Sequence, residues 1–223
     1  MNISEAIEKR HSVRSYTDEA ISEAEKRRLY TEIAACNKEA DLHIQLMLDE
    51  PEAFSGAMAR YGKFEGVNNY IAMVGKKCRD LEEKIGYFGE RIVIKAQQMG
   101  LNTCWVAMTY QKRMKKYDIR PDEQLVCVIA AGHGKDQGKD HISKPIERLC
   151  SYCKPMPEWF RNGVMSAMRA PTAMNRQKFL LKYENEKVSA IAAGGMYSKV
   201  DLGIVKYHFE AGAAENFQWE DGI

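Results

Sequence analysis

Between residues 81 and 99 the apolar side chains fall at 85, 88, 92, 96 and 99, the spacing of one helix face, and Gly100 follows where a left-handed residue ends a helix. A strand at 103–108 begins three residues later. The chain must therefore seat a long amphipathic helix beside short apolar strands. Further strands are read at 42–48, 70–75, 125–131 and 179–183. Asn2 with Glu5 and Ser22 with Glu25 carry the capping-box spacing ahead of helices at 2–10 and from 22 onward, the second burying Leu29, Ile33 and Ala34. Pro157 opens a helix with Trp159, Phe160, Val164 and Met168 on its apolar face, and Ser198 with Asp201 is predicted to cap a last helix bearing Leu202, Val205 and Phe209. A basic helix is predicted around 111–117. Residues 49–66 show no period, and 132–143 read as a polar loop.

With 223 residues the chain can bury one substantial core, and 33 Lys plus Arg against 31 Asp plus Glu leave a net charge of only +2. No whole-molecule field draws it to nucleic acid or to a membrane. No apolar run approaches the length that spans a bilayer, and the amino terminus lacks the apolar core of a leader, so a cytoplasmic protein is expected. The 6 cysteines sit mostly in apolar runs, as packed thiols do. Cys150 and Cys153 form a lone CxxC spacing that suits redox chemistry or half a zinc site, but no second pair completes a tetrahedron, so no metal is expected.

The order helix, Asn-containing turn, strand, helix occurs twice. The first copy runs through Ala34-Ala35-Cys36-Asn37-Lys38-Glu39 into the strand at 42–48, and its later helix carries Gly89 where the second copy carries Gly203. A partial internal duplication is inferred, with 1–150 and 151–223 packed as one compact unit.

Two separated stretches carry the chemistry. Residues 9–14, Lys-Arg-His-Ser-Val-Arg, cluster cations suited to a phosphate, and residues 170–177, Ala-Pro-Thr-Ala-Met-Asn-Arg-Gln, form a small polar turn suited to the edge of a ring system. Alone, the first reads as a solvated helix end, and the second has an ordinary helix-to-strand loop as its alternative. With the segments at 86–106, 124–132 and 143–149, they make the chain resemble the FMN-dependent nitroreductase family, in its branch with a fused half-repeat.

The resemblance implies an α+β fold, a mixed and mostly antiparallel sheet flanked by helices. It implies that Arg10 and Arg14 meet the FMN phosphate or ring oxygen with His11 and Ser12 beside them. It places Trp105, Val106, Ala107 and Met108 where a backbone amide faces the flavin N5, and sets Pro171, Thr172, Ala173, Asn175 and Gln177 against the flavin's polar edge. The family's late pair of phosphate-binding cations has no direct counterpart, His141 and Ser143 falling nearest, and Lys139 and Lys144 are the adjacent substitutes. The implied reaction is ping-pong: NAD(P)H gives a hydride to the flavin and is replaced by a small-molecule acceptor such as a nitroaromatic or quinone, with no catalytic protein side chain required. Because the turn lies in the second half, the chain is expected to be a monomeric pseudo-dimer with one FMN; a homodimer exchanging the turn is the alternative. Two other functions stay open, a flavin-binding sensor or carrier with little turnover and a CxxC thiol protein.

Overall fold

The computed structural model describes residues 1–111, 116–152, 155–214 and 217–220. The predicted helix at 111–117 falls mainly outside those residues, and so does Cys153. In chain order the elements are α1 (Ile3–Lys9), α2 (Glu23–Ala40), β1 (Gln45–Met47), α3 (Ala57–Tyr61), β2 (Asn69–Lys76), α4 (Leu81–Gln98), β3 (Asn102–Val106), β4 (Glu123–Gly132), β5 (Cys150–Tyr152), α5 (Glu158–Ala167), β6 (Phe179–Glu184), β7 (Lys187–Ala192) and α6 (Ser198–Ala213). The result is the expected α+β class, with two sheets among the described residues, their strands paired antiparallel except for β5 with β6.

The first unit comprises Met1, residues 9–81 and residues 92–140. Its sheet has the order β1-β2-β4-β3 with every pairing antiparallel. Seven of the eight residues of β2 are buried, as in a strand covered on both faces, which is why residues 70–75 read as a continuous apolar run. On one face Tyr70, Ala72 and Val74 of β2, Cys104 and Val106 of β3 and Val128 and Ala130 of β4 pack with Val13, Tyr16, Phe54 and Phe64. Helix α2 starts where Ser22 and Glu25 exchange hydrogen bonds in a capping box and ends at Asp41 in the left-handed region. It runs through residues 34–39, so the expected turn there is helical. Asn37 bonds the backbone N–H and C=O of Ile44 instead. The unpatterned stretch at 49–66 holds a short 3-10 turn, Pro51–Phe54, and α3.

The second unit comprises residues 2–8, 82–91 and 141–223. In its sheet β6 lies between β5, which it meets in parallel, and β7, which it meets antiparallel. No strand was expected at 187–192. Its signal is the pair Asn185 and Glu186, both at positive φ (52° and 62°), a two-residue hairpin turn of the primed kind. Reciprocal bonds between Asn2 and Glu5 cap α1 as predicted. The predicted cap of α6 is not formed: Tyr197, at φ 64°, occupies the N-cap, and the Asp201 carboxylate accepts from Ala173 N–H at 2.9 Å. Among the described residues no helix is long and apolar enough to cross a membrane.

Candidate functional site

The two chemistry-bearing stretches fall in different units, and each builds its own local structure. In the first unit, the chain leaving α1 extends along the outer edge of β3. Ser12 bridges Thr103 in parallel, and Val13 N–H donates to the Thr103 carbonyl at 3.1 Å. The strand order leaves β3 at the edge of its sheet, so its outer backbone groups would be unpaired without this segment. The register brings residues 10–14 beside 103–106.

Arg10 is buried at 4% exposure, whereas Arg14 is exposed, its guanidinium 5.9 Å from the Phe64 ring centroid. Both guanidinium groups act on one point, the buried Cys104 thiol. Burial pushes that thiol up, while Arg14, Arg10 and a hydrogen bond with Ser12 pull it down. Arg10, Ser12 and Arg14, two positive charges and a hydroxyl, thus all lie within electrostatic reach of Cys104 on β3. Such a set suits a dianionic group better than a lone cation does.

The polar loop after β4 folds back over this segment. His11 Nδ1 donates to the Gln137 carbonyl at 2.9 Å, Asn102 bonds the Gln137 side chain at 3.1 Å and Gly134 N–H at 3.0 Å, and Lys135 N–H donates to the Ser15 carbonyl at 2.9 Å. Gly138 makes the close approach possible: at φ 77° a Cβ there would sit 2.8 Å from His11 Cβ. Lys139 follows on the exposed part of the loop, beside Asp140. Strand β3 ends at Val106, so Ala107 and Met108, expected inside it, leave the sheet; Val106 is buried, Trp105 and Ala107 are half-buried and Met108 is exposed.

In the second unit residues 170–177 form a tight turn in which Met174, Asn175 and Gln177 all have positive φ, 55°, 52° and 46°. Left-handed geometry at non-glycine residues costs on the order of 1–3 kcal/mol each and persists only where surroundings enforce it. Here side chains enforce it. Gln177, 3% exposed, donates from Nε2 to the Ile142 carbonyl at 2.8 Å and to Asn175 Oδ1 at 2.9 Å, and its Oε1 accepts from Lys144 N–H at 2.8 Å. Asn175 Nδ2 donates to the same carbonyl at 2.9 Å, Thr172 Oγ1 accepts from Gln177 N–H at 2.9 Å, and Lys144 Nζ donates to the carbonyls of Arg176 and Gln177.

The amides of Asn175 and Gln177 and the ammonium of Lys144 are thus spent on bracing the turn. Pro171, Thr172 and Ala173 are half-buried on the turn, and Met174 is exposed. Asp201, which the sequence reading used only as a cap, belongs to this site through Ala173; no local pattern in the sequence links positions 28 residues apart. Gln177→Leu is expected to cost about 1–3 kcal/mol in chemical denaturation by stranding Lys144 N–H and removing one of the two donors to Ile142 C=O. A loss below about 0.5 kcal/mol would show the turn is held by other means.

Among the described residues no group of His, Cys, Asp and Glu side chains is arranged to hold a metal ion. Burial pushes the Cys150 thiol up, with Glu147 adding to the effect, which is the reverse of what a reactive thiolate needs.

A family model described as "Putative TM nitroreductase" matches residues 2–213. No curated protein matches. Among solved structures, a "putative nitroreductase" from Thermotoga maritima is 24% identical, with a TM-score of 0.68 over 95% of this chain and 83% of that one. A "putative nitroreductase in complex with FMN" from Desulfovibrio desulfuricans is 19% identical, with a TM-score of 0.54 over 70% of this chain and 99% of that one. A "putative NADH oxidase" from Clostridium acetobutylicum is 15% identical, with a TM-score of 0.51 over 65% of this chain and 96% of that one. At these identities the structures establish the fold.

Proposed function

Starting from the fact that this chain belongs to the family described as "Putative TM nitroreductase", a family of oxidoreductases, we propose that it binds FMN and passes reducing equivalents from NAD(P)H to a small organic acceptor such as a nitroaromatic or quinone. The observation that carries this reading is the pairing of residues 12 and 13 with Thr103, which sets the segment bearing Arg10, Ser12 and Arg14 along β3. Two guanidinium groups and a hydroxyl suit a phosphate monoester, and a backbone amide of residues 105–107, where Trp105 and Ala107 are half-buried, would not titrate. The residues therefore fit the cofactor.

Arg10 and Arg14 would hold the phosphate or a ring oxygen, with His11 and Ser12 donating beside them and Lys139 adding charge from the loop. Residues 105–108 would line the ring. In the second unit Pro171, Thr172 and Ala173 would offer a close-packed backbone surface, kept in shape by Asn175, Gln177 and Lys144, and Met174 an apolar wall. When bound, FMN supplies two-electron redox chemistry that none of these side chains possesses. The protein's share is to bind and orient it, to exclude water and to place cationic charge near it. We take the chain to act as a monomer with one FMN, in a reducing cytoplasm suited to the thiols of Cys36, Cys78, Cys104, Cys127 and Cys150.

The visible spectrum and flavin-to-chain ratio of the purified protein, with its mass by light scattering, test the cofactor and the stoichiometry. One FMN per monomer is expected; twice the mass would replace the monomer by a homodimer. Arg14→Ala, at an exposed position, is expected to raise the FMN dissociation constant about 10-fold or more with little change in thermal stability. Unchanged affinity would remove the observation on which the reading stands. Steady-state NADPH and NADH oxidation with menadione or a nitrofuran then separates an enzyme from a flavin carrier, since a carrier stays yellow without turnover.

A further inference from the structure

Asp201 is a carboxylate that another element contributes to the 170–177 turn. It lies in the first turn of α6, 7% exposed, and its Oδ1 accepts from Ala173 N–H at 2.9 Å. Of the backbone proposed to approach the flavin, Ala173 is the residue gripped by a charged group. The remaining braces, Gln177, Asn175, Thr172 and Lys144, act on the later part of the turn and on residues 142–144. Asp201 ties the Pro-Thr-Ala portion to α6.

A buried carboxylate needs a reason to be there, because an apolar or amide residue would pack with no charge to desolvate. Helix capping is not that reason, since the carboxylate makes no cap bond: Tyr197 holds the N-cap position and no side chain closes it. A charge-assisted bond holds an amide roughly twice as strongly as a neutral one, and the start of α6 favours a negative charge. We propose that Asp201 is a positioning residue for flavin binding, acting through the Ala173 amide to fix the backbone of residues 171–173. This rests on the flavin reading above.

The state of the carboxyl can be followed directly. Burial lifts it to about 6 from an ordinary 3.8, and the Ala173 amide is the influence that opposes the lift. Lys206 on the same helix is engaged with Glu83 at 2.5 Å, and Lys144 with the carbonyls of the turn. Since the folded value is raised, the contribution of this group to stability is full below about 4 and is lost as pH rises through about 6. Over the same range the ionised form tightens its grip on Ala173.

The test uses the full-length protein, Asp201→Ala and Asp201→Asn. Amide hydrogen exchange of residues 171–177 without flavin reads the positioning alone, and titration with FMN and with riboflavin, which has no phosphate to titrate, reads its use. Asp201→Ala is expected to speed exchange at Ala173 and to weaken both flavins about 10-fold. Asp201→Asn, which keeps an acceptor in place, is expected to bind within about 3-fold of wild type while losing the rise in riboflavin affinity between pH 5 and 7.5. Unaltered Ala173 exchange or unaltered flavin affinity in Asp201→Ala overturns the proposal, and so does a pH profile that survives in Asp201→Asn. A wild-type chain that binds neither flavin sinks the flavin reading itself, and the exchange measurement still shows whether Asp201 holds the turn.

Discussion

Gly203→Ala is expected to leave the second unit unable to reach its native packing, seen as a collapse in soluble yield or a loss of about 3 kcal/mol or more in urea denaturation. At Gly203 a Cβ would lie 2.0 Å from the Glu83 carbonyl oxygen and 2.6 Å from Tyr87 N. The reverse contact is equally tight: a Cβ on Gly86 would lie 2.0 Å from the Val200 carbonyl oxygen and 3.1 Å from Gly203 Cα. Both obstacles are helix backbone, so no rotamer change relieves them and α6 must move away from residues 82–91. That movement opens the polar contacts between the same two helices, Lys206 with Glu83, His208 with Glu90 and the Tyr87 hydroxyl with Glu210. Gly86→Ala should behave alike, while Gly194→Ala, where no atom lies within 4 Å of the added Cβ, should cost only the strain of its positive φ. Near wild-type stability in Gly203→Ala would mean the helices cross farther apart than described.

His208→Ala and Glu90→Ala are each expected to destabilise the chain by about 3–5 kcal/mol, the cost of breaking a buried polar pair. Both side chains are fully buried, His208 Nε2 lies 2.9 Å from Glu90 Oε1, and His208 Nδ1 lies 3.2 Å from the Ser166 carbonyl. A carbonyl only accepts, so Nδ1 carries a proton, and the remaining bond needs a second proton on Nε2 or on the Glu90 carboxyl. Either way the pair is neutral as a whole, which is how it tolerates burial. It also ties α5 to α6 and to residues 82–91 at one point. Replacing both residues with leucine should recover much of the single-variant loss, because an apolar pair has nothing to desolvate. If the single variants lose less than 1 kcal/mol, the pair is reached by water and the account fails.

Some of this architecture was open to a reader of the sequence. The helix at 81–99 and the apolar strands at 70–75 and 125–131 are found within a residue or two, because burial imposes a period or a run that shows locally. The Ser22–Glu25 box is of the same kind, two bonds closed across three residues. The same spacing misled at Ser198 and Asp201, where a partner 28 residues away claims the carboxylate that the local pattern assigned to a cap. Residues 34–39 misled likewise: Asn37 suggests a turn, but the helix continues and the side chain bonds a strand residue beyond its end. The glycine comparison pointed to Gly89, while the close approach uses Gly86 with Gly203.

The sequence by itself determined the class of fold, the positions of its long helices and buried strands, and the two short stretches that carry the chemistry, since each follows from the residue types inside one continuous segment. Only the tertiary structure decided what those stretches do with their side chains. It gathers Arg10, Ser12 and Arg14 at one thiol, turns Asn175, Gln177 and Lys144 inward to hold a strained turn, and recruits Asp201 to Ala173. The physical reason is that a hydrogen-bonding group serves whichever partner lies within about 3 Å once the chain is packed, and that partner is set by contacts far apart in sequence.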